Sequence, residues 1–296
     1  MKTFGTIVVG IDFSDASLAA LREAIRLARD GGRVVAVEVV EKELIEDQIR
    51  FHQVAAEQAL DRIHSNLIRH LAVNGADHGV EARVIVGSPF TGLIEVVEAV
   101  HADVLVLGSR GWDHNPGSVG TVAARCVRKA NLPVMLVRRH HHGAFHRIVA
   151  CTDYSPTATM AVQRAGWLAR EEGAMLDLVH VDYPVWLQPV HIQYDLQRVP
   201  EEGYRDQYRA LMRERLANHL VTVCPDAPSE WKTHVLEDVR ASDAIARFLK
   251  EVQADLVVLG TAGRSGLNAL LLGTTAERLI HRSECSVLAI KPPAVD

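Results

Sequence analysis

Cysteine is scarce in this chain: four thiols, Cys126, Cys151, Cys224 and Cys285, stand far apart with no C-x-x-C pair. That spacing excludes a disulfide framework and a zinc knuckle, and predicts buried thiols in a cytosolic protein. Long apolar runs are missing too. None approaches the roughly 20 residues that span a bilayer, so no segment is expected to cross a membrane. The stretch Thr6-Ile7-Val8-Val9-Gly10-Ile11 is short, meets Asp12 at once and lacks a small-residue cleavage site. It reads as a first strand rather than the core of a signal peptide. Blocks of Lys or Arg and aromatic-basic stripes are absent, and the net charge of −5 is spread along the chain. This argues against nucleic acid as a main partner. Hairpin signals are lacking as well, which leaves the strands to be joined through helices.

What is present is a globular composition, 48% hydrophobic and 23% charged over 296 residues, enough for about two domains that each bury a core. The chain repeats itself. Strand Ile7–Ile11, then Asp12-Phe13-Ser14, then a helix with Leu18, Leu21, Ile25 and Ala28 on one face and Arg22, Arg26 and Arg29 projecting outward, ends at Gly31-Gly32. The same order returns as Ile148–Cys151, Thr152-Asp153-Tyr154-Ser155 and a helix through Val162, Leu168 and Ala169 to Gly173. Second strands at Val34–Val40 and Leu176–Val181 lead to helical regions, Glu46 to about Asn74 and about Glu201 to Leu220. Third strands follow at Ala82–Val86 and Thr233–Leu236, and fifth strands at Pro133–Val137 and Ser286–Ile290. Asp12 and Asp153 are 141 residues apart and Gly108 and Gly260 are 152 apart, which places an insertion of about ten residues within 182–200. Alternating strands and helices with right-handed crossovers predict an α/β fold: two Rossmann-like domains, each a five-stranded parallel sheet with helices on both faces. The expected boundaries are 1–140 and 145–296, joined by Arg138-Arg139-His140-His141-His142-Gly143-Ala144.

The fourth strand of each repeat carries the chemistry. Ala254-Asp255-Leu256-Val257-Val258-Leu259 runs into Gly260-Thr261-Ala262-Gly263, and nine residues later Gly273-Thr274-Thr275 opens a helix. Glycines let backbone approach an anion, while the unsatisfied N–H groups and positive dipole end of the helix point at it. Ala102-Asp103-Val104-Leu105-Val106-Leu107-Gly108-Ser109-Arg110-Gly111 and Gly120-Thr121 repeat the arrangement, with eight intervening residues instead of nine. That shorter loop also holds Trp112, Asp113 and Pro116. A carboxylate beside a polyphosphate is repulsive unless a cation bridges them. Repeat one therefore reads either as a second nucleotide site or as a closed, vestigial one.

The pattern Gly-x2-Gly-x9-Gly-Ser/Thr, with an Asp after the first strand, resembles the ATP-binding class of the universal stress protein family in its tandem form. The resemblance covers nearly the whole chain. It implies ATP, with or without Mg2+, in repeat two: adenine near Thr152, Asp153 and the backbone of Val181, phosphates against Gly260, Ala262, Gly263, Gly273, Thr274 and Thr275, and added charge from Arg264. Ala276 departs from it, since ATP-binding relatives often offer a hydroxyl there. The matching set in repeat one is Asp12, Val39 (or Val40), Gly108, Arg110, Gly111, Gly120 and Thr121. Asp153 has either the nucleotide or a helix N-terminus to bond. The resemblance also implies that the two repeats pair through their fifth strands, as single-repeat relatives do in homodimers, and leaves a homodimer of the whole chain open.

Other residues read more plainly. Three successive histidines, His140 to His142, point to alternate sides and make a poor tetrahedral set, so the linker reads as solvated and no metal site is expected. The apolar, proline-broken segment from Asp182 to His191 reads as a lid, a patch for another chain, or a loop packed on its own domain. Cys151 is expected to be a core thiol, and Ser109 and Ser265 to cap rather than attack, so no catalytic residue is assigned. The function expected is a nucleotide-binding regulatory module of the stress response. A slow ATPase or adenylating enzyme, or a nucleotide-free scaffold, are the alternatives on the same fold.

Overall fold

The computed structural model describes residues 4–28, 31–76, 79–110, 119–187, 202–263 and 272–292. The chain forms two units, Met1–Gly143 with Ser286–Leu288, and Ala144–Cys285 with Ala289–Asp296. In the first, β1 (Thr6–Gly10), α1 (Asp15–Leu27), β2 (Arg33–Val40), α2 (Lys42–His52), α3 (Ala56–Val73), β3 (Val80–Val86), α4 (Pro89–Ala99), β4 (Val104–Gly108), α5 (Thr121–Lys129) and β5 (Val134–Val137) follow in order. The second runs β6 (Arg147–Cys151), α6 (Pro156–Glu172), β7 (Met175–Asp182), a 3-10 turn (Val185–Leu187), α7 (Glu202–Val223), β8 (Trp231–Glu237), α8 (Ala241–Glu251), β9 (Leu256–Gly260), α9 (Thr274–Arg282) and β10 (Ser286–Ile290).

The strand orders are β3-β2-β1-β4-β5 and β8-β7-β6-β9-β10. The paired strands run parallel, with Val8 beside Val35 and Leu105, and Val149 beside Asp177 and Val257. The order reverses direction at the first strand of each unit. Right-handed crossovers then put α1 and α3 on one face and α4 and α5 on the other, and likewise in the second unit. Ile7, Val8 and Val9 in β1, and Leu256, Val257 and Val258 in β9, are 0% exposed. A parallel strand covered on both faces needs such a continuous apolar run, each side chain contributing about 1.5–3 kcal/mol on burial.

Several local expectations need correction. The helical region of unit one is two helices, and it starts at Lys42 rather than Glu46. Gln53, left-handed at φ 51°, stops α2, whose Ile45 and Ile49 fold back onto Ala59, Leu60 and Ile63 of α3. On α1 Leu21 and Ala28 are buried as expected, but the buried face also takes in Ala16, Ala20, Ala24 and Leu27, while Leu18 and Ile25 are only half-buried, and Arg29 lies outside the described residues. Arg26 does not project outward: its side chain is 12% exposed, and its Nε donates to the buried Glu23 at 3.0 Å. The linker is not uniformly solvated either. His140 and His142 are exposed, but His141 turns inward to within 3.3 Å of the Glu23 carboxylate. His141 N donates to Arg138 O at 2.9 Å, so the histidines lie in a turn rather than an extended run.

Polar groups cross the sheet of unit two as well. Asp177 of β7, fully buried, accepts from Arg147 Nε of β6 at 2.7 Å and lies 2.7 Å from His234 Nε2 of β8. Burial alone would raise its carboxyl, but the His234 and Arg147 hydrogen bonds outweigh that and hold it below the usual carboxylate range.

Candidate functional site

Each unit leaves its first strand through a turn that ends in a serine N-cap. Ser14 accepts from Ser17 N at 3.2 Å and Ser155 from Ala158 N at 3.2 Å. The preceding aspartates are therefore not the caps. Asp12 Oδ1 receives both Ser14 N, at 3.0 Å, and Ser14 Oγ, at 2.6 Å. Asp153 Oδ1 receives Ser155 N at 2.9 Å, and its Oδ2 lies 3.0 Å from where a Cβ on Gly263 would stand. One oxygen thus fixes the turn and the other faces the glycine loop. Between aspartate and serine, Phe13 and Tyr154 are left-handed, at φ 63° and 64°.

The glycine loops are tied at their ends. Gly273 N donates to Thr261 O at 2.8 Å, and Thr261 N and Oγ1 donate to Ile290 O at 2.9 and 3.1 Å. In unit one Gly120 N donates to Ser109 O at 3.0 Å and Ser109 N to Val137 O at 2.9 Å. Ser109 and Thr261 are 2% exposed. They are buried links in the scaffold. The loops deliver the chain to α9 and α5, whose N-caps, Gly273 and Gly120, bring no side-chain hydrogen bond. Their first N–H groups are left for water or an anion.

The first glycine of each loop has a second cause that spacing does not show. A Cβ on Gly260 would lie 3.0 Å from Ala158 N and 3.1 Å from Thr157 C, and one on Gly108 would lie 2.6 Å from Ala16 C and 2.7 Å from Ser17 N. The N-terminal turn of α6 or α1 rests directly on the strand end there. Gly263 and Gly273 are different: their missing side chains leave room facing Asp153 Oδ2 and Thr261 O.

In unit two these pieces enclose a cleft of about 380 Å3 beyond the carboxyl ends of β6, β7 and β9, at the reversal of strand order. Thr152, Asp153, Val181, Gly260, Ala262, Gly263, Gly273, Thr274 and Thr275 all line it. Arg264 lies outside the described residues. In unit one Asp12 follows β1, Val39 is in β2, Gly108 ends β4, Arg110 comes just after it, Gly120 caps α5 and Thr121 begins it. Gly111, with Trp112, Asp113 and Pro116, lies outside the described residues, as does Ser265. Sequence reasoning passed over the apolar wall of the cleft: Ala241 and Ile245 of α8, Val179, Leu259 and Leu279. The signal was present in the spacing of Ala241, Ile245 and Phe248, which marks one helix face.

Cys151 also lines the cleft, and burial, with a smaller contribution from Cys285, pushes its thiol up to about 12. It stays protonated at neutral pH, unlike a nucleophilic thiolate. The insertion starts by packing on its own unit: Trp186 Nε1 donates to Glu237 at 3.2 Å, and its ring meets Tyr208 edge-on at 5.2 Å. The lid and patch readings rest on 188–200, outside the described residues. A second cleft, of about 300 Å3, overlies β8. Two of its three arginines are engaged, Arg209 with Glu237 and Arg247 with Asp238.

Among the described residues no helix is long and apolar enough to cross a membrane. The chain matches the universal stress protein family over residues 3–138 and again over 144–291. It is 24% identical over 308 residues to universal stress protein E of Photorhabdus laumondii, covering 99% of this chain and 96% of that one. A universal stress protein E homolog of Haemophilus influenzae is 30% identical over 176 residues, a match spanning 57% of this chain and about half, 55%, of the relative's length. Among solved structures, a universal stress protein from Archaeoglobus fulgidus superposes with a TM-score of 0.64 at 18% identity, covering 98% of this chain and 99% of that one. That likeness shows the fold. Two matches to the family, each spanning one strand-and-helix repeat, agree with the duplicated loops, and the chain belongs to the universal stress protein family as a tandem, two-domain member.

Proposed function

We propose that this chain is an ATP-binding regulatory protein of the stress response, with the nucleotide held in the second unit. The observation that carries the reading is the 380 Å3 cleft, of ligand size, in which an acceptor carboxylate, two side-chain-free loop positions and an uncapped helix N-terminus converge. The residues fit an adenine nucleotide. Asp153 offers Oδ2 to a purine amino group or a ribose hydroxyl, the backbone of Val181 and the wall of Val179 and Ile245 suit a flat base, and Thr152 lies beside them. The N–H groups of Ala262 and Gly263 and the hydroxyls of Thr274 and Thr275 suit phosphate oxygens, with Gly260 at the strand end, Gly273 leaving room where the helix opens, and Arg264 adding charge. Mg2+ accompanying the nucleotide would offset its phosphate charge beside the Thr274 and Thr275 hydroxyls. The weaker candidate in unit one comprises Asp12, Val39, Gly108, Arg110, Gly111, Gly120 and Thr121, and its shortened loop disfavours it. Binding rather than turnover is proposed, because Cys151 is held protonated and, among the described residues, no base is hydrogen-bonded to Ser109 or Thr261.

Calorimetric titration tests the reading. Gly263→Val places a branched side chain against Asp153 Oδ2 and is expected to weaken ATP tenfold or more, the scale of one charged hydrogen bond, about 1.5–3 kcal/mol. Gly111→Val is expected to change little. Equal losses in the two variants would contradict the assignment to unit two, and steady-state phosphate release by the wild type would favour an ATPase instead.

A further inference from the structure

Tyr154 does not line the cleft, yet it follows Asp153 directly and is held in the left-handed conformation, which is strained for a non-glycine residue. Such a conformation persists only where the surroundings over-determine it. The contacts that do so lie behind the cleft. The Tyr154 ring is 4.7 Å from that of His180 in β7 and 5.0 Å, nearly edge-on, from that of His219 in α7. The Arg215 guanidinium, one turn before His219, lies over the ring at 4.6 Å. His180 reaches the turn a second way, through Nδ1 at 2.9 Å from Thr152 O, and Tyr154 N donates to Thr152 Oγ1 at 3.0 Å. The first unit builds the corresponding turn alike: Phe13, at φ 63°, meets His70 of α3 edge-on at 4.9 Å.

The left-handed residue has a geometric consequence. It reverses the chain within one step, so that Ser155 N arrives 2.9 Å from Asp153 Oδ1 and occupies that oxygen. The other oxygen, Oδ2, lies on the side of Gly263. We propose that Tyr154 is the positioning residue of the nucleotide site. Its ring, clamped by His180, His219 and Arg215, locks the turn that aims the Asp153 carboxylate into the cleft. This rests on the nucleotide reading of that cleft. An alanine at 154 keeps the strain and loses the clamp, and a glycine relieves the strain without restoring the clamp, so either frees the turn to relax and Asp153 to swing.

The test is ATP affinity by calorimetry in the full chain, with thermal stability recorded alongside. Tyr154→Phe keeps the ring and is expected to bind within about twofold of wild type, whereas Tyr154→Ala and Tyr154→Gly weaken ATP about tenfold. The double variant Asp153→Ala, Tyr154→Ala separates positioning from general loosening. If Tyr154 acts through Asp153, it binds no more weakly than Asp153→Ala alone; additive losses overturn the proposal. Should Tyr154→Ala fail to fold, His219→Leu removes one wall of the clamp without touching the turn and is expected to weaken ATP several-fold, with unchanged affinity counting against the proposal. A wild type that binds no ATP defeats the nucleotide reading and this inference together. A wild type that binds, alongside a folded Tyr154→Ala of equal affinity, defeats this inference alone.

Discussion

Glu38 sits in β2 among valines, and its Oε2 is buried without a hydrogen-bond partner among the described residues. Burial pushes its carboxyl up to about 7 from an ordinary 4.5. The folded chain therefore keeps a proton that the unfolded chain has already lost between those values, and stability falls as pH rises through that window. Above about pH 7 the full penalty is present. Glu38→Gln is expected to stabilise the protein at pH 8 by about 1–2 kcal/mol and to change nothing at pH 4, as read from urea midpoints. A variant equally stabilising at both pH values would disprove the burial account. His70, whose imidazole burial lowers, works in the opposite direction and gains stability as pH rises towards its ordinary 6.5. Only the difference between variant and wild type isolates Glu38. The Asp177 trio has its own window: with a lowered folded-state carboxyl, its contribution is present at neutral pH and fades only below about pH 4.

Where a strand hands over to a loop, helix packing decides what the sequence is allowed to be. Gly108 and Gly260 look like phosphate-loop glycines in the sequence, and Gly260 does line the cleft. Their missing side chains are nevertheless required by α1 and α6, whose backbone atoms stand 2.6 to 3.1 Å from any added Cβ. Backbone cannot yield as a flexible side-chain tip can. Alanine is expected to cost about 1–3 kcal/mol at either site by overpacking, more at Gly108, where the approach is closer. Denaturant melts of Gly108→Ala and Gly260→Ala measure this, and a Gly108→Ala chain as stable as wild type would show that α1 can shift cheaply. The split between α2 and α3 has its own cause: one continuous helix would hold Ile45 and Ile49 away from Ala59, Leu60 and Ile63, and the left-handed Gln53 lets α2 fold back and pack them together.

For the chain as a whole, a ligand that binds only one of two units stabilises that unit alone. At a hundred times its dissociation constant, ATP is expected to add about 2.7 kcal/mol to the unit that holds it. Hydrogen exchange should then slow in peptides from 144–296 and stay unchanged in those from 1–143, while equal slowing in both would refute the inequality of the two loops. Much of this protein was already legible in its residues. Apolar runs such as Val104–Leu107 and Leu256–Leu259 can only be strands covered on both faces, and the returning Asp-x-Ser and Gly-x2-Gly spacings marked the duplication, because backbone that must turn sharply or approach closely restricts residue type. The amphipathic face of α1 was misjudged because Arg26 can be buried only when Glu23 comes with it, a pairing periodicity does not register. Likewise only tertiary packing could turn His141 inward to Glu23, bring Ile245 of α8 to the cleft that Asp153 lines, and gather Tyr154, His180, Arg215 and His219 at one turn. Local preference is written residue by residue, but contacts between residues dozens of positions apart exist only after the sheet order brings their strand ends together.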